Sequence, residues 1–401
     1  MLEVLELEQV SHLLYENFKE LLLEDEITEL KDSMNRVLSH DIIVTQDYPV
    51  FHRSCVDGYA VRASDILGCS DSLPSILQLV GNIKMGETST ISLQSGECVY
   101  VPTGAEIPKG ADSMVMVEFT EDYGDGTIGI CKSSAPGDHI IFAGDDAKAG
   151  EILIQQGTVI GIKEIGMLAT IGISQVKVKK KIKVGVLSSG DEIIPVNQSL
   201  RPGEIYDANG PMVCAALESN GCEVSFLGTV IDDYEALRKI IVHEISSYDM
   251  LVISGGTSVG VKDVTSKVID ELGEILLHGI AVKPGKPTLV GRINKKPFFG
   301  LPGNPVAAYY ILNVIVIRLI KEIQNLRWED SVMELELQQK VSSNHGRVEF
   351  IAVQVRDNKA IPLLGKSGLI MSLAKADGYI KIDRNVEGIP CGANVLVHRF
   401  Y

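Results

Sequence analysis

Between residues 182 and 272, short apolar runs alternate with amphipathic stretches, and this alternation narrowly limits how the chain can fold. The pattern predicts strands at 182–188, 223–230 and 249–254 and helices at 209–220, 232–246 and 263–272. Strands that alternate with helices form a mostly parallel, doubly wound sheet with helices on both faces. Ligands of such sheets bind at the carboxyl ends of the strands, so function is expected in the loops that follow them.

The sequence before this unit predicts different secondary structure. Helical periodicity continues from the N-terminus to about Leu38. Short apolar runs with glycine and proline turns at 41–146 indicate an all-β insertion. Residues 147–180 return to alternating apolar positions and end in a basic run, 177–183, that has the character of a linker.

The sequence after this unit predicts a long helix and a further β domain. An apolar run predicts a buried helix at 305–324, and alternation after residue 331 predicts a small β barrel or sandwich. Because 401 residues exceed what one hydrophobic core usually organises, we expect two to four domains.

The charge balance argues against one class of partner. The formal net charge is -16 at pH 7. A protein that binds nucleic-acid phosphates normally presents a basic face, so we expect no nucleic-acid partner. An anionic small molecule is still compatible with this charge if its site is a local basic or amide-lined pocket.

Neither a targeting segment nor a membrane span is predicted. Residues 1–10 are acidic, whereas a signal peptide begins with basic residues. The most apolar helix, 305–320, carries Asn313 and Arg318, which favours a buried helix over a membrane span. Seven scattered cysteines without a C-x-x-C pair, and eight histidines without metal-ligand spacing, favour reduced thiols in the cytoplasm over a disulfide framework or a zinc site.

Two loops after predicted strands carry residues capable of chemistry. In the first, Asp191 and Glu192 could hold Mg²⁺, or an acidic or serine side chain there could cap a short helix. The second is the glycine-rich loop 254–260, followed by Asp263. Glycines let the backbone approach a phosphate at the start of the next helix, although a tight turn without a ligand has the same composition.

Two further loops combine proline and glycine with polar residues. Two prolines and a glycine in 283–287 restrict Lys283 and Lys286, which favours an oxyanion site over an ordinary basic turn. In 300–305, Asn304 could cap the helix that follows, or the free amides there could meet an anion.

Eight motifs in this order resemble one family over essentially the whole chain. They are SCVDGYAV at 54–61, TGA at 103–105, GDD at 144–146, SGDE at 189–192, IYDAN at 205–209, SGG at 254–256 with Asp263, KPGKP at 283–287 and LPGNP at 301–305. With these motifs the sequence resembles the molybdopterin molybdenumtransferase family, which includes bacterial MoeA and the E domain of gephyrin.

The resemblance implies an elongated homodimer of four-domain subunits. The implied fold is multidomain α/β plus β, with a central doubly wound α/β domain that binds molybdopterin, a β-rich insertion and a C-terminal β barrel. The domains would comprise residues 1–45 with 147–180, 46–146, 181–328 and 329–401. The active cleft would lie between the α/β domain of one subunit and the insertion and barrel of its partner.

The implied reaction belongs to molybdenum cofactor biosynthesis. Molybdate or tungstate is inserted into adenylylated molybdopterin, with Mg²⁺ as the cofactor and AMP released. The family also implies contact with a molybdopterin adenylyltransferase and with recipient molybdoenzymes. Residues of the motifs are expected to act catalytically: Asp57, Thr103, Asp146, Glu192, Asp232, Asp263, Lys283 and Lys286.

Other motif residues are expected to bind the pterin nucleotide and the metal ion. The binding positions are Ser254, Gly255, Gly256, Thr257, Ser258, Gly260, Pro302, Gly303, Asn304, Pro305, Arg347 and Ser367. The Mg²⁺ ligands are expected among Asp191, Glu192 and Asp263. Ala307 stands where many relatives carry serine, which removes one donor to the oxyanion. Two alternatives are a non-catalytic molybdopterin carrier or scaffold and a molybdopterin adenylyltransferase.

Overall fold

The structure is a computed structural model, and it describes residues 4–21, 23–256, 264–327, 331–343, 346–364 and 370–400. The chain forms two compact units. The first comprises Met1–His40, Gln156–Gly166 and Ser174–Tyr401, and the second comprises Asp41–Gln155 and Met167–Ile173. These two units do not test the four domain boundaries, which stay a prediction. No helix in the described ranges is long and apolar enough to cross a membrane.

A six-stranded sheet forms the centre of the first unit. Its strands are Lys183–Ser189 (β1), Glu223–Val230 (β2), Met250–Ser254 (β3), Glu274–His278 (β4), Leu289–Ile293 (β5) and Lys296–Leu301 (β6). In space they run β2-β1-β3-β6-β5-β4. The pairs β1–β2, β1–β3 and β3–β6 are parallel, whereas β5 is antiparallel to both β4 and β6. The predicted mostly parallel sheet is confirmed.

Helices cover both faces of this sheet. On one face, Val186 and Val252 belong to a buried cluster shared with the helices around residues 209–219 and 305–323. On the other face, Leu187 and Leu251 belong to a second cluster shared with the helices around 234–244 and 264–272. Neighbouring residues of one strand therefore pack on opposite faces, which requires the nearly continuous apolar strands seen in the sequence.

The helices follow the predicted positions in the α/β region. Their bounds are Leu7–Phe18, Ile162–Thr170, Asn209–Ser219, Tyr234–Glu244, Val264–Leu272, Pro305–Ile311 and Ile317–Ile323. A π-helical segment, Leu312–Val316, joins the last two, so the predicted helix at 305–324 is continuous but not uniformly α-helical. Short 3₁₀ segments are Leu30–Asp32, Ala63–Ile66, Val117–Phe119 and Ile370–Lys375.

The helical prediction to Leu38 is wrong beyond the first helix. Asp25–Glu29 is a strand that pairs antiparallel with Gln175–Lys179. The amine of Lys179 lies 2.9 Å from the Asp25 carboxylate, and the amine of Lys177 lies 3.5 Å from it. This pairing with a distant segment outweighs local helical periodicity. For the same reason Lys177 and Lys179 belong to a strand and not to a linker.

The C-terminal part of the first unit is a closed five-stranded barrel. Its strands are Val332–Leu337, Val348–Arg356, Lys359–Pro362, Gly378–Ile382 and Asn394–Arg399. Each pairs with two others, and the second strand closes the ring by pairing with both the third and the fourth. Leu337, Val353, Ile380 and Val397 lie in its buried core. Of the two predicted alternatives, a barrel and a sandwich, the structure shows the barrel.

The second unit is built from strands, as predicted for the insertion. Its six-stranded sheet contains, in spatial order, Ser113–Met116, Gly58–Val61, Glu97–Val101, Ser75–Asn82, Thr127–Ile130 and Thr120–Asp122. The second unit also contains the short strands Ile42–Ile43, Arg53–Ser54, Ile140–Ile141 and Ile152–Ile154. The short strands of the first unit are Ile193–Ile194, Ile205–Tyr206, Val282–Lys283, Val341–Ser342 and Gly388–Ile389. Ala60, Val99 and Met114 form part of a core packed within this unit.

Candidate functional site

The loops after β1, β3 and β6 meet at one edge of the sheet and line a cavity of about 610 Å³. The strands are parallel, so their carboxyl ends lie together, which is where doubly wound sheets bind ligands. Its lining includes these residues singled out from the sequence: Glu192, Asp232, Gly255, Gly256, Lys283, Lys286, Pro302, Gly303, Asn304 and Arg347. The structure thus brings together residues from six separate segments of the chain.

Hydrogen bonds hold the acidic residues of this edge in place. Ser189 Oγ donates to Asp232 Oδ1 at 2.5 Å, and the Asp232 backbone amide donates to Asp191 Oδ1 at 3.1 Å. Glu192 and Asp232 line the cavity. The capping alternative for Asp191 is wrong, because residues 190–200 contain turns and a short strand but no helix.

The first residues of the glycine loop, Gly255 and Gly256, lie against the end of β1. Gly255 has φ +95°, and a Cβ on it would lie 2.1 Å from the Ser189 carbonyl oxygen. Gly256 has φ +63°, and a Cβ there would lie 2.8 Å from Thr265 Oγ1. Both positions therefore require glycine. The predicted binding residues Thr257, Ser258 and Gly260, together with Asp263, lie outside the described residues.

Asn209 connects this loop to the next one. Its side-chain amide donates to Ser254 Oγ at 2.6 Å and to the Gly303 carbonyl oxygen at 2.9 Å. Asn304 Oδ1 accepts from the amides of Val306 and Ala307 at 3.0 and 3.2 Å. The capping interpretation of Asn304 is confirmed, and Pro305 is the first residue of that helix.

The basic residues of the cavity differ in their surroundings. Lys283 Nζ lies 2.7 Å from Glu349 Oε1. Lys286 and Arg347 are exposed and have no acidic partner in the described ranges. The cavity therefore carries two basic side chains that form no ion pair within the described ranges, although the whole chain is acidic.

Three of the predicted catalytic residues belong to the second unit. Asp57 and Thr103 belong to the second unit, where the Thr103 amide donates to Asp57 Oδ1 at 2.8 Å. Asp146 is exposed in the same unit, and its amide donates to the Tyr48 carbonyl oxygen at 3.0 Å. Ser367 lies outside the described residues.

The residues described offer neither a metal cluster nor an activated thiol at this edge. No group of three or more histidine, cysteine, aspartate or glutamate side chains in those ranges could hold a metal ion. Cys214 lies on the helix that Asn209 begins, and burial, followed by Glu218 and Asp207, raises its pKa to about 11. This thiol stays protonated at neutral pH and is a poor nucleophile.

Three contributors were missed from the sequence: Ser189, Asn209 and Glu349. Ser189 and Asn209 stand inside two of the quoted motifs, SGDE and IYDAN, so the motifs held a signal for them. Glu349 lies in an alternating strand without any local motif, and its role depends on a contact 66 residues away in sequence.

Comparisons with known proteins cover nearly the whole chain. The family model for the MoeA N-terminal region (domain I and II) matches residues 5–172, a probable molybdopterin binding domain matches 185–322, and the MoeA C-terminal region (domain IV) matches 334–400.

Full-length relatives and a solved structure agree with these matches. The molybdopterin molybdenumtransferase of Haemophilus influenzae is 32% identical, with 94% of each chain covered. The enzyme of the same name from Bacillus subtilis is 32% identical over 93% of this chain and 89% of its own. The crystal structure of a molybdopterin biosynthesis MoeA protein from Pyrococcus horikoshii matches all of both chains with a TM-score of 0.83 and 36% identity. The chain therefore belongs to the molybdopterin molybdenumtransferase (MoeA) family.

Proposed function

We propose that the chain inserts molybdate or tungstate into adenylylated molybdopterin, with Mg²⁺-dependent release of AMP, in molybdenum cofactor biosynthesis. The observation that carries this proposal is the cavity at the sheet edge, where Lys286 and Arg347 line the same space as Glu192 and Asp232. Cationic donors suit an oxyanion and a pyrophosphate, whereas carboxylates suit a cation that neutralises charge developing on a phosphoanhydride.

The chain's own residues bind and orient the reactants. Lys286 and Arg347 donate to the oxyanion, with Lys283 beside them. Gly255 and Gly256 line the cavity, so their backbone is where a pyrophosphate would approach, whereas the positions of their absent Cβ atoms face Ser189 and Thr265. An oxygen of molybdate or of water attacks the anhydride, so no protein nucleophile is required.

The donor set of this edge fits Mg²⁺. Glu192 and Asp232 offer hard carboxylate oxygens in the cavity, and Asp191 accepts a hydrogen bond from the Asp232 amide. Mg²⁺ usually takes one or two protein carboxylates together with substrate phosphates and water, so a site of few protein ligands is sufficient. We propose Asp191, Glu192 and Asp263 as ligands, and Asp232 as a catalytic residue that its amide hydrogen bond holds next to Asp191. When bound, the ion neutralises charge on the phosphoanhydride.

We also propose a cytoplasmic homodimer. In this arrangement Asp57, Thr103 and Asp146 of one subunit complete the site of the other, with Ser367 adding an oxyanion donor. The bond between the Thr103 amide and the Asp57 carboxylate supports a fixed orientation for that aspartate. A molybdopterin adenylyltransferase supplies the adenylylated substrate, and recipient molybdoenzymes accept the product.

Two other functions are less well supported. A carrier or scaffold would not need acidic residues, yet Glu192 and Asp232 line the cavity. An adenylyltransferase would need only the central α/β region, whereas family matches also cover residues 5–172 and 334–400.

The test is an assay of AMP release by purified protein with adenylylated molybdopterin, Mg²⁺ and either molybdate or tungstate. Release that depends on the oxyanion is the expected result, and the relative rates give the preferred metal. Tight nucleotide binding without AMP release would refute the proposal in favour of a carrier. Asp57→Ala and Lys286→Ala should each abolish insertion and leave the protein folded.

A further inference from the structure

In the ion pair between Lys283 and Glu349, both carboxylate oxygens of Glu349 have a partner. Glu349 is 7% exposed, and its second oxygen, Oε2, accepts a hydrogen bond from Ser343 Oγ at 2.9 Å. The Lys283 side chain is about half exposed, at 46%. A buried carboxylate with two partners costs much free energy to separate from its counter-ion, so Lys283 stays with Glu349.

Main-chain pairing fixes the same contact. Val282–Lys283 pairs in parallel with the barrel strand Val348–Arg356, and in this register Lys283 lies opposite Glu349. Arg347 precedes that strand by one residue, and Lys286 follows Lys283 by three. The pairing therefore holds all three basic residues of the site around one junction.

Lys283 also separates two cavities. It lines the 610 Å³ cavity of the candidate site and a neighbouring cavity of about 230 Å³, whereas Glu349 lines only the second. The Glu349 carboxylate therefore meets Lys283 on the side of the smaller cavity and does not line the candidate site.

We propose that Glu349 is a positioning residue, which holds Lys283 at the junction and reduces the positive charge that Lys283 offers to the oxyanion. This inference rests on the proposed function. Glu349 competes with molybdate for the same ammonium group, so it weakens oxyanion binding while it fixes the lysine for turnover. Lys286 and Arg347 then supply most of the attraction.

The test compares wild type with Glu349→Gln and a matched control, Glu336→Gln. Glutamine keeps an oxygen that can accept from Lys283 and removes the charge. Glu336 likewise lies opposite a lysine, Lys359, in a parallel pair of the barrel, with 3.2 Å between Oε1 and Nζ, but it lies outside the cavity lining. Molybdate binding is measured by equilibrium dialysis with metal quantification, and AMP release gives kcat.

Glu349→Gln should lower the Kd for molybdate about three- to tenfold at low ionic strength, with a steeper salt dependence. Its kcat should fall about tenfold, because Lys283 is held less firmly. Glu336→Gln should change neither quantity. A merely structural role for Glu349 would lower the melting temperature and leave Kd unchanged.

The outcomes separate this inference from the proposed function. Wild-type Kd in Glu349→Gln, with molybdate-dependent AMP release intact in the wild type, would overturn the role of Glu349 alone. Absence of both molybdate binding and AMP release in the wild type would overturn the proposed function and this inference with it.

Discussion

Asn209 donates its side-chain amide to Ser254 Oγ at 2.6 Å, and the same nitrogen donates to the Gly303 carbonyl oxygen at 2.9 Å. Ser254 ends β3, and Gly303 lies two residues after the end of β6. One buried amide therefore connects two of the loops that line the cavity. The position of the glycine loop depends on a helix start that sequence reasoning assigned no role.

We expect Asn209→Ala to loosen both loops. The substitution removes two hydrogen bonds from a buried site, which should lower the free energy of unfolding by about 1–3 kcal/mol. The KM for adenylylated molybdopterin should rise, because the loops that bind it are no longer fixed. Urea unfolding and the AMP-release assay measure the two effects.

The matched control is Asn220→Ala, which follows the C-terminal end of the same helix. Its amide donates to the Ala216 carbonyl oxygen at 2.8 Å, away from the cavity lining. We expect a stability loss of about 0.5–1 kcal/mol and an unchanged KM. An equal rise in KM for both variants would contradict the loop connection.

Asp232 and Asp233 are neighbours with different roles. Asp232 accepts from Ser189 Oγ and lines the cavity. Asp233 caps helix Tyr234–Glu244, since its side chain accepts from the Ala236 amide at 2.9 Å. The helix predicted at 232–246 therefore begins at Tyr234 with Asp233 as its cap, which leaves Asp232 available for chemistry.

Asp232→Asn should reduce kcat for AMP release by about 100-fold or more and leave stability nearly unchanged. Asp233→Ala should lower the free energy of unfolding by about 1 kcal/mol, since it removes a helix cap, and preserve kcat. Kinetics and thermal unfolding of both variants decide the matter. Full activity in Asp232→Asn would remove this residue from the site.

Much of the central domain could be predicted because burial of a strand produces a recognisable local sequence pattern. The prediction for β2 matches the observed Glu223–Val230. The prediction 182–188 is shifted by one residue at both ends from Lys183–Ser189, and the prediction 249–254 begins one residue before Met250–Ser254. Strands buried on both faces read as continuous apolar runs, and turns between them need glycine or proline. The position of the ligand-binding loops, at the carboxyl ends of the parallel strands, then follows from the sheet topology.

Contacts between distant segments could not be predicted in this way. The strand Asp25–Glu29 has helical periodicity and becomes extended only because Gln175–Lys179 lies beside it. Likewise the partner of Lys283 is Glu349, which no spacing rule connects to it. Such pairings arise from tertiary packing, which overrides local propensity.

Gly255 tests how closely the loop must approach β1. Gly255→Ala should cost at least about 3 kcal/mol, because it combines a left-handed backbone with a clash against the Ser189 carbonyl. Gly203 has a similar φ, +92°, but a Cβ added there would meet no atom within 4 Å. Gly203→Ala should therefore cost only about 1–2 kcal/mol. Equal losses in chemical denaturation would show that the close approach contributes nothing.

Lys283 and Lys286 should differ in stability more than in function. Lys283→Ala leaves the buried Glu349 carboxylate with Ser343 as its hydrogen-bond donor, so the free energy of unfolding should fall by about 2 kcal/mol. Lys286 is exposed, and Lys286→Ala should cost less than about 0.5 kcal/mol. Both variants should bind molybdate more weakly in equilibrium dialysis, Lys286→Ala more so, because Lys283 but not Lys286 forms an ion pair among the described residues.

A double variant separates the charge from the packing. Lys283→Ala combined with Glu349→Gln no longer buries an unpaired carboxylate, so it should regain most of the stability that Lys283→Ala loses. Oxyanion affinity should stay low, since the lysine is still absent. If Lys283→Ala were as stable as Lys286→Ala, the buried pair would not hold the loop to the barrel.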